Sequence, residues 1–210
     1  MKDEKKKERL LTEAEKKRLD QFEKLSEDLQ AQGYTRHFLT IGMGFANVFS
    51  IVLLIPLFLI GMVLVYLLHN EIGYSRVNIA TLLVSLVVLI IVHELIHGLC
   101  WSFFTPHRFG DIAFGFMKTT LTPYCTCSVP LKKYQHIFGA VMPLILLGII
   151  PMIVGIATGN TNVLFLGIIM ADGAAGDILV IWRILSYKSK AKETIYMDHP
   201  TQAGAVVFER

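Results

Sequence analysis

Four long apolar segments constrain this 210-residue chain more than any other feature. They run from about Ile41 to Leu68, Val77 to Phe104, Ile137 to Ala157 and Val163 to Leu185. Each is near the roughly 20 residues that a helix needs to cross a bilayer. In lipid, every backbone N–H and C=O must find its partner within the protein, so such stretches are expected as helices. Composition agrees. Apolar residues make up 53% and charged residues 18%, with a mean hydropathy of +0.53; soluble domains average about 45–50% and about 25%. The expected fold is an all-α polytopic membrane protein with about four transmembrane helices. Pro56 predicts a kink in the first span, and Gly159-Asn160-Thr161-Asn162 predicts a turn between the third and fourth.

The polar remainder divides unevenly. Residues 1–36 read as a cytoplasmic charged helix, ended by Gly33, and residues 37–210 as a membrane-embedded domain. Within the helix, Leu11, Ala14, Phe22, Leu25 and Leu29 follow a loose apolar stripe broken by Arg18, which predicts a solvated or interface-lying element. This segment does not read as a secretory signal. Its basic residues are nearly matched by acids, which argues against a nucleic-acid partner. Lysine and arginine also orient the spans. Ten precede the first span, four lie in the 105–136 loop and five lie in the tail from Arg183. Only Arg76 lies in the 69–76 loop, and the 158–162 turn has none. This asymmetry predicts a multi-pass protein of the cell membrane with both termini and the long loop in the cytoplasm. That loop, rich in Phe, Thr, Val and Tyr over 111–131, predicts short strands between spans two and three.

The chemistry concentrates at His93-Glu94-Leu95-Ile96-His97, which ends an apolar run free of ionisable side chains from Val77 to Val92. Ionisable residues inside a span are costly and mark functional sites. Histidines four apart project from one helix face and can share a Zn2+ ion, with Glu94 beside them as a base. Catalytic zinc sites take three protein ligands, and depth points to the third. His93 lies ~24 Å into its span and Asp177 ~21 Å into the fourth, whereas Asp172 lies only ~13 Å in. Asp177 is the better match, and Gly173 and Gly176 are expected to let the two helices approach closely. Asp172 stays open as the alternative. His107 reads as solvated at the cytoplasmic mouth and His136 as an interface residue, while His37, His69 and His199 fall outside the spans. Cys100 is expected as a packed small hydrophobe. Cys125 and Cys127, taken as strand positions facing opposite ways, make a poor metal pair.

These residues resemble the intramembrane zinc metalloproteases of the site-2 type, which carry HExxH on one membrane helix and take an aspartate ligand from a later one. The closer resemblance is to DUF3267, a family of small bacterial membrane proteins described as putative zincin peptidases. It rests on His93 to Gly98, the stretch from Phe109 to Tyr134 and Gly139-Ala140-Val141-Met142-Pro143. Ala174-Ala175-Gly176-Asp177-Ile178 and Asp198-His199-Pro200 also fit. The resemblance covers about residues 37–210. It implies a bacterial protein with a metal at His93, His97 and Asp177 and Glu94 as catalytic base. In site-2 proteases the aspartate sits in an Asp-Gly setting, which here fits Ala171-Asp172-Gly173 rather than Asp177.

The expected function is an intramembrane zinc metallopeptidase acting on a membrane-protein or peptide substrate. Two other classes compete. A non-catalytic metal-binding scaffold has no use for Glu94. A small metal or proton transporter fits poorly with four spans and no repeat, although a homo-oligomer could supply more.

Overall fold

The structure is a computed structural model that describes residues 12–70, 79–117 and 122–210. Leu11 and the start of the charged segment, Val77 at the start of the second span, Arg76 and Lys118 lie outside these residues. Three helices are long and apolar enough to cross a membrane, or four if one bent pair counts as a single span. The first is α2, Met43–His69, which runs through Pro56 as one helix. The second is α3, Ile79–Ser102, bearing the histidine motif near its end. The third is continuous over Lys133–Thr158 but not uniform. It begins as α4, Lys133–Pro143, widens to a π-helical stretch over Leu144–Ile149 and resumes as α5, Ile150–Thr158. The bent pair is α6, Thr161–Gly173, and α7, Ala175–Ser186, whose axes differ by 46°.

The α5–α6 turn forms where its residues predict. Gly159 takes a φ of +69°, ending α5, and the Asn160 side chain caps α6 by accepting the N–H groups of Asn162 and Val163. Close packing then follows from small residues. A Cβ on Gly155 would collide with the backbone of Leu164, and one on Gly167 would lie 2.6 Å from the Met152 nitrogen. Absent glycines, α5 and α6 would have to separate. Gly173 and Gly176 do not play the part expected of them. A Cβ at either would meet nothing within 4 Å, so neither is required for helix approach.

The all-α expectation needs correction, because two small sheets accompany the helices. A hairpin of β2, Ile112–Met117, and β3, Thr122–Cys127, lies between the second and third spans, where short strands were expected. Cys125 and Cys127 are two residues apart and so share a face of β3. Both turn inward, Cys125 packing with Cys127 against the cluster that holds Trp101. The second sheet was not anticipated. Its strands β1, Thr35–Thr40, β4, Thr194–Asp198, and β5, Gly204–Glu209, lie in the antiparallel order β1-β5-β4. Strand β5 pairs Phe38 with Val206 on one side and Val207 with Tyr196 on the other. These partners come from opposite ends of the chain, so no local pattern announces them.

The charged helix α1, Glu13–Ala31, packs on this sheet. A Thr12–Glu15 capping box starts it, satisfying otherwise orphaned first-turn N–H groups. Phe22 and Leu29 are buried with Met197, Val206 and Phe208. Arg18, which interrupts the apolar stripe, lies 4.3 Å from the centroid of the Tyr124 ring on β3. Phe22, Leu25 and Leu29 of the stripe therefore face a protein surface.

Candidate metal centre

Helix α3 packs on α4 and α6, and α4 packs on α7, which brings the histidine motif against the bent fourth segment. His93 and His97 are buried, one turn apart. Asp177, in the first turn of α7, reaches both. His93 Nε2 lies 3.1 Å from Asp177 Oδ2, His97 Nε2 lies 3.5 Å from the same oxygen, and the two Nε2 atoms are 3.1 Å apart. Among the described residues, this is the one cluster of three metal-ligating side chains.

The triangle can be compared with zinc chemistry directly. Zinc–ligand bonds of about 2.0–2.1 Å at tetrahedral angles place donor atoms about 3.3 Å apart. All three edges fall close to that value. Two imidazole nitrogens and a carboxylate oxygen also form the donor set of a catalytic zinc site, with the fourth position open. The His97 tautomer suits this role. Its Nδ1–H donates to the Gly139 carbonyl at 2.9 Å, which leaves the Nε2 lone pair facing the triangle. Gly139 is required for that contact, since any Cβ there would run into the Trp101 indole. Trp101 in turn stacks on the His97 ring, with centroids 5.2 Å apart.

Glu94 lies next to His93 and is partly buried, and the backbone N–H of Cys125 on β3 faces its carboxylate. The hairpin thus seats over the motif. Ile112 and Phe114 of β2 cover Gly98, where a Cβ would meet the Phe114 ring at 2.5 Å.

Other residues weighed from the sequence fall elsewhere. Asp172 is removed from the histidines and accepts the Ser50 hydroxyl of α2 at 2.9 and 3.0 Å. His107 is exposed and pairs with Asp111. His136 is buried within the protein: it is 2% exposed, and its Nε2–H donates to Asp198 at 2.9 Å. Burial pushes the Cys127 thiol up to about 12 and raises that of Cys125 too, so both are neutral packed thiols rather than thiolate ligands. Sequence reasoning missed the Gly139 carbonyl, Trp101 and the His136–Asp198 pair. Gly139-Ala140 and Asp198-His199 entered only through the family resemblance, which does not say what those residues touch.

No curated protein and no solved structure matches the chain. Residues 86–192, about half of the chain and inclusive of both histidines, Glu94 and Asp177, match a family described as "Putative zincin peptidase", and the chain belongs to that family, DUF3267.

Proposed function

We propose that this protein is a polytopic membrane zinc metallopeptidase of the site-2 type, with His93, His97 and Asp177 as ligands and Glu94 as catalytic base. The observation that carries the reading is the triangle of donor atoms at tetrahedral spacing with a carboxylate one residue away. A zinc ion held there supplies Lewis acidity to a scissile carbonyl and to water. Glu94 takes the proton from the attacking water and passes it to the departing amide nitrogen. The Cys125 N–H holds the Glu94 carboxylate in place as the proton arrives and leaves.

Substrate must reach this site with its backbone free. A membrane helix hides its amides in internal hydrogen bonds, so the segment to be cut has to be extended. The β2–β3 hairpin, seated on α3 beside Glu94, supports docking of an extended peptide by edge pairing. The lysine and arginine distribution supports both termini and the hairpin in the cytoplasm.

Two measurements test the proposal. Purified protein should hold about one zinc per chain, since three ligands plus water complete one tetrahedral site; a chain that takes up none refutes it. Glu94→Gln should keep that zinc and lose cleavage of a membrane-inserted peptide by roughly 10²–10⁴-fold. Cleavage at the parental rate would remove Glu94 from the mechanism.

A further inference from the structure

Asp198 lies in β4, beyond the family-matched segment and remote in sequence from the histidine motif, yet two lines of contact lead from it to the metal centre. One line runs through α4. Asp198 Oδ1 accepts the His136 Nε2–H at 2.9 Å, the His136 carbonyl accepts the Trp101 Nε1–H at 3.2 Å, and Trp101 stacks on His97. One turn along, Gly139 accepts the His97 Nδ1–H. The other line runs through the hairpin. Asp198 Oδ2 accepts the backbone N–H of Cys127 at 2.8 Å, and two residues back along β3 the Cys125 N–H faces Glu94. One carboxylate thus joins the strand that serves the base to the helix that serves a ligand.

We propose that Asp198 and His136 are a positioning pair, which sets the orientation of His97 through Trp101 and α4 and of Glu94 through β3. The inference rests on the zinc-peptidase reading above. Three observations favour positioning over a merely structural ion pair. His136 Nδ1 is buried without a hydrogen-bond partner, so Asp198 is the ring's one hydrogen-bond anchor among the described residues. Both carboxylate oxygens are committed, one to each line. The sheet is also docked independently, because Leu131 and Tyr196 exchange a pair of backbone hydrogen bonds at 2.8 Å. Losing the carboxylate therefore leaves β4 in place and frees the hairpin and α4 to shift relative to each other. Outer partners of this kind orient metal ligands and tune the site.

The test uses the full chain in detergent, with Co2+ as the spectroscopic probe and Zn2+ affinity by chelator competition. Asp198→Asn keeps one acceptor oxygen, and its NH2 can replace the other contact only by forcing the His136 proton onto the buried, unpartnered Nδ1. His136→Ala removes the anchor, whereas His136→Gln retains an amide N–H of similar reach. Asp198→Asn and His136→Ala should melt near the parental temperature, shift the visible Co2+ absorption and weaken zinc roughly tenfold, the lower end of outer-partner effects. His136→Gln should restore the parental spectrum. A folded Asp198→Asn with parental spectrum and affinity overturns the proposal, as does a His136→Gln no better than His136→Ala. If Asp198→Asn fails to fold, the two His136 variants decide. A parental chain that binds neither metal refutes the zinc reading itself, whereas binding that the variants leave unmoved refutes only the positioning pair.

Discussion

At the scale of single residues, the two aspartates of the fourth segment are separated by what each touches. Asp177 shares its carboxylate with two imidazoles, and Asp172 accepts a serine hydroxyl from α2. Asp177→Ala should therefore abolish zinc retention, a larger loss than the roughly 10–100-fold of outer partners. Asp172→Ala should leave zinc near parental and loosen only the α2 contact. Metal content of the two folded variants checks this, and zinc loss in Asp172→Ala alone would move the third ligand. The HExxH pair was legible because 3.6 residues per turn places positions four apart on one face. That Asp177 meets the histidines agrees with the expectation counted from helix rise, although the helix it was counted along bends by 46° between the two acids. The Gly139 carbonyl was not legible, because every residue carries one and only packing selects which histidine it meets.

At the scale of elements, α5 and α6 lie in contact because glycines face backbone across them. Gly155→Ala should cost about 1–3 kcal/mol, the usual penalty for forcing a methyl group into a packed interface, whereas Gly173→Ala should be tolerated. Thermal or denaturant midpoints in detergent compare the two; equal midpoints would show that α5 yields without cost. The break between α6 and α7 leaves Gly173 free of contact while still turning Asp177 toward α3. The tail sheet carries a pH-dependent contact of its own. His199 is half-buried between Phe22 and Phe38, and its Nδ1 accepts the N–H groups of Thr201 and Gln202. Burial lowers its pKa below the usual histidine value. The unfolded chain therefore binds this proton more readily than the folded one. Its contribution is complete above about pH 6.5 and is lost as pH falls through the depressed value. Stability should drop as pH falls below about 6.5, and His199→Gln should flatten that slope. A slope unchanged in His199→Gln would place the titration elsewhere.

At the scale of the whole molecule, the lysine and arginine asymmetry predicts the hairpin and both termini on the cytoplasmic side. The native hairpin cysteines are poor reporters of that placement, because Cys127 is only 3% exposed. Exposed positions serve better. With the native cysteines replaced by serine, Lys192→Cys in the tail should react with an impermeant thiol reagent only after lysis. Thr158→Cys at the α5–α6 turn should react in intact cells. The reverse pattern would invert the topology and place the hairpin outside. The sheet built from β1, β4 and β5 shows why this subdomain escaped sequence reasoning. Its strands are five or six residues long and come from both ends of the chain, and an isolated strand of that length carries little signal until it finds its neighbours.

The sequence alone determined where the apolar helices lie and that one face of α3 carries both His93 and His97. Those properties follow from local periodicity and from the length of helix needed to traverse hydrocarbon, and both are written residue by residue. Only tertiary structure decided that the third span widens to a π-helix, that the fourth bends and that Asp198 reaches both Cys127 and His136. Tertiary structure likewise chose the partner of the α1 stripe. Periodicity says that Phe22 and Leu29 need covering, but the surface that covers them comes from Met197, Val206 and Phe208, far along the chain. Burial is a property of what arrives from elsewhere.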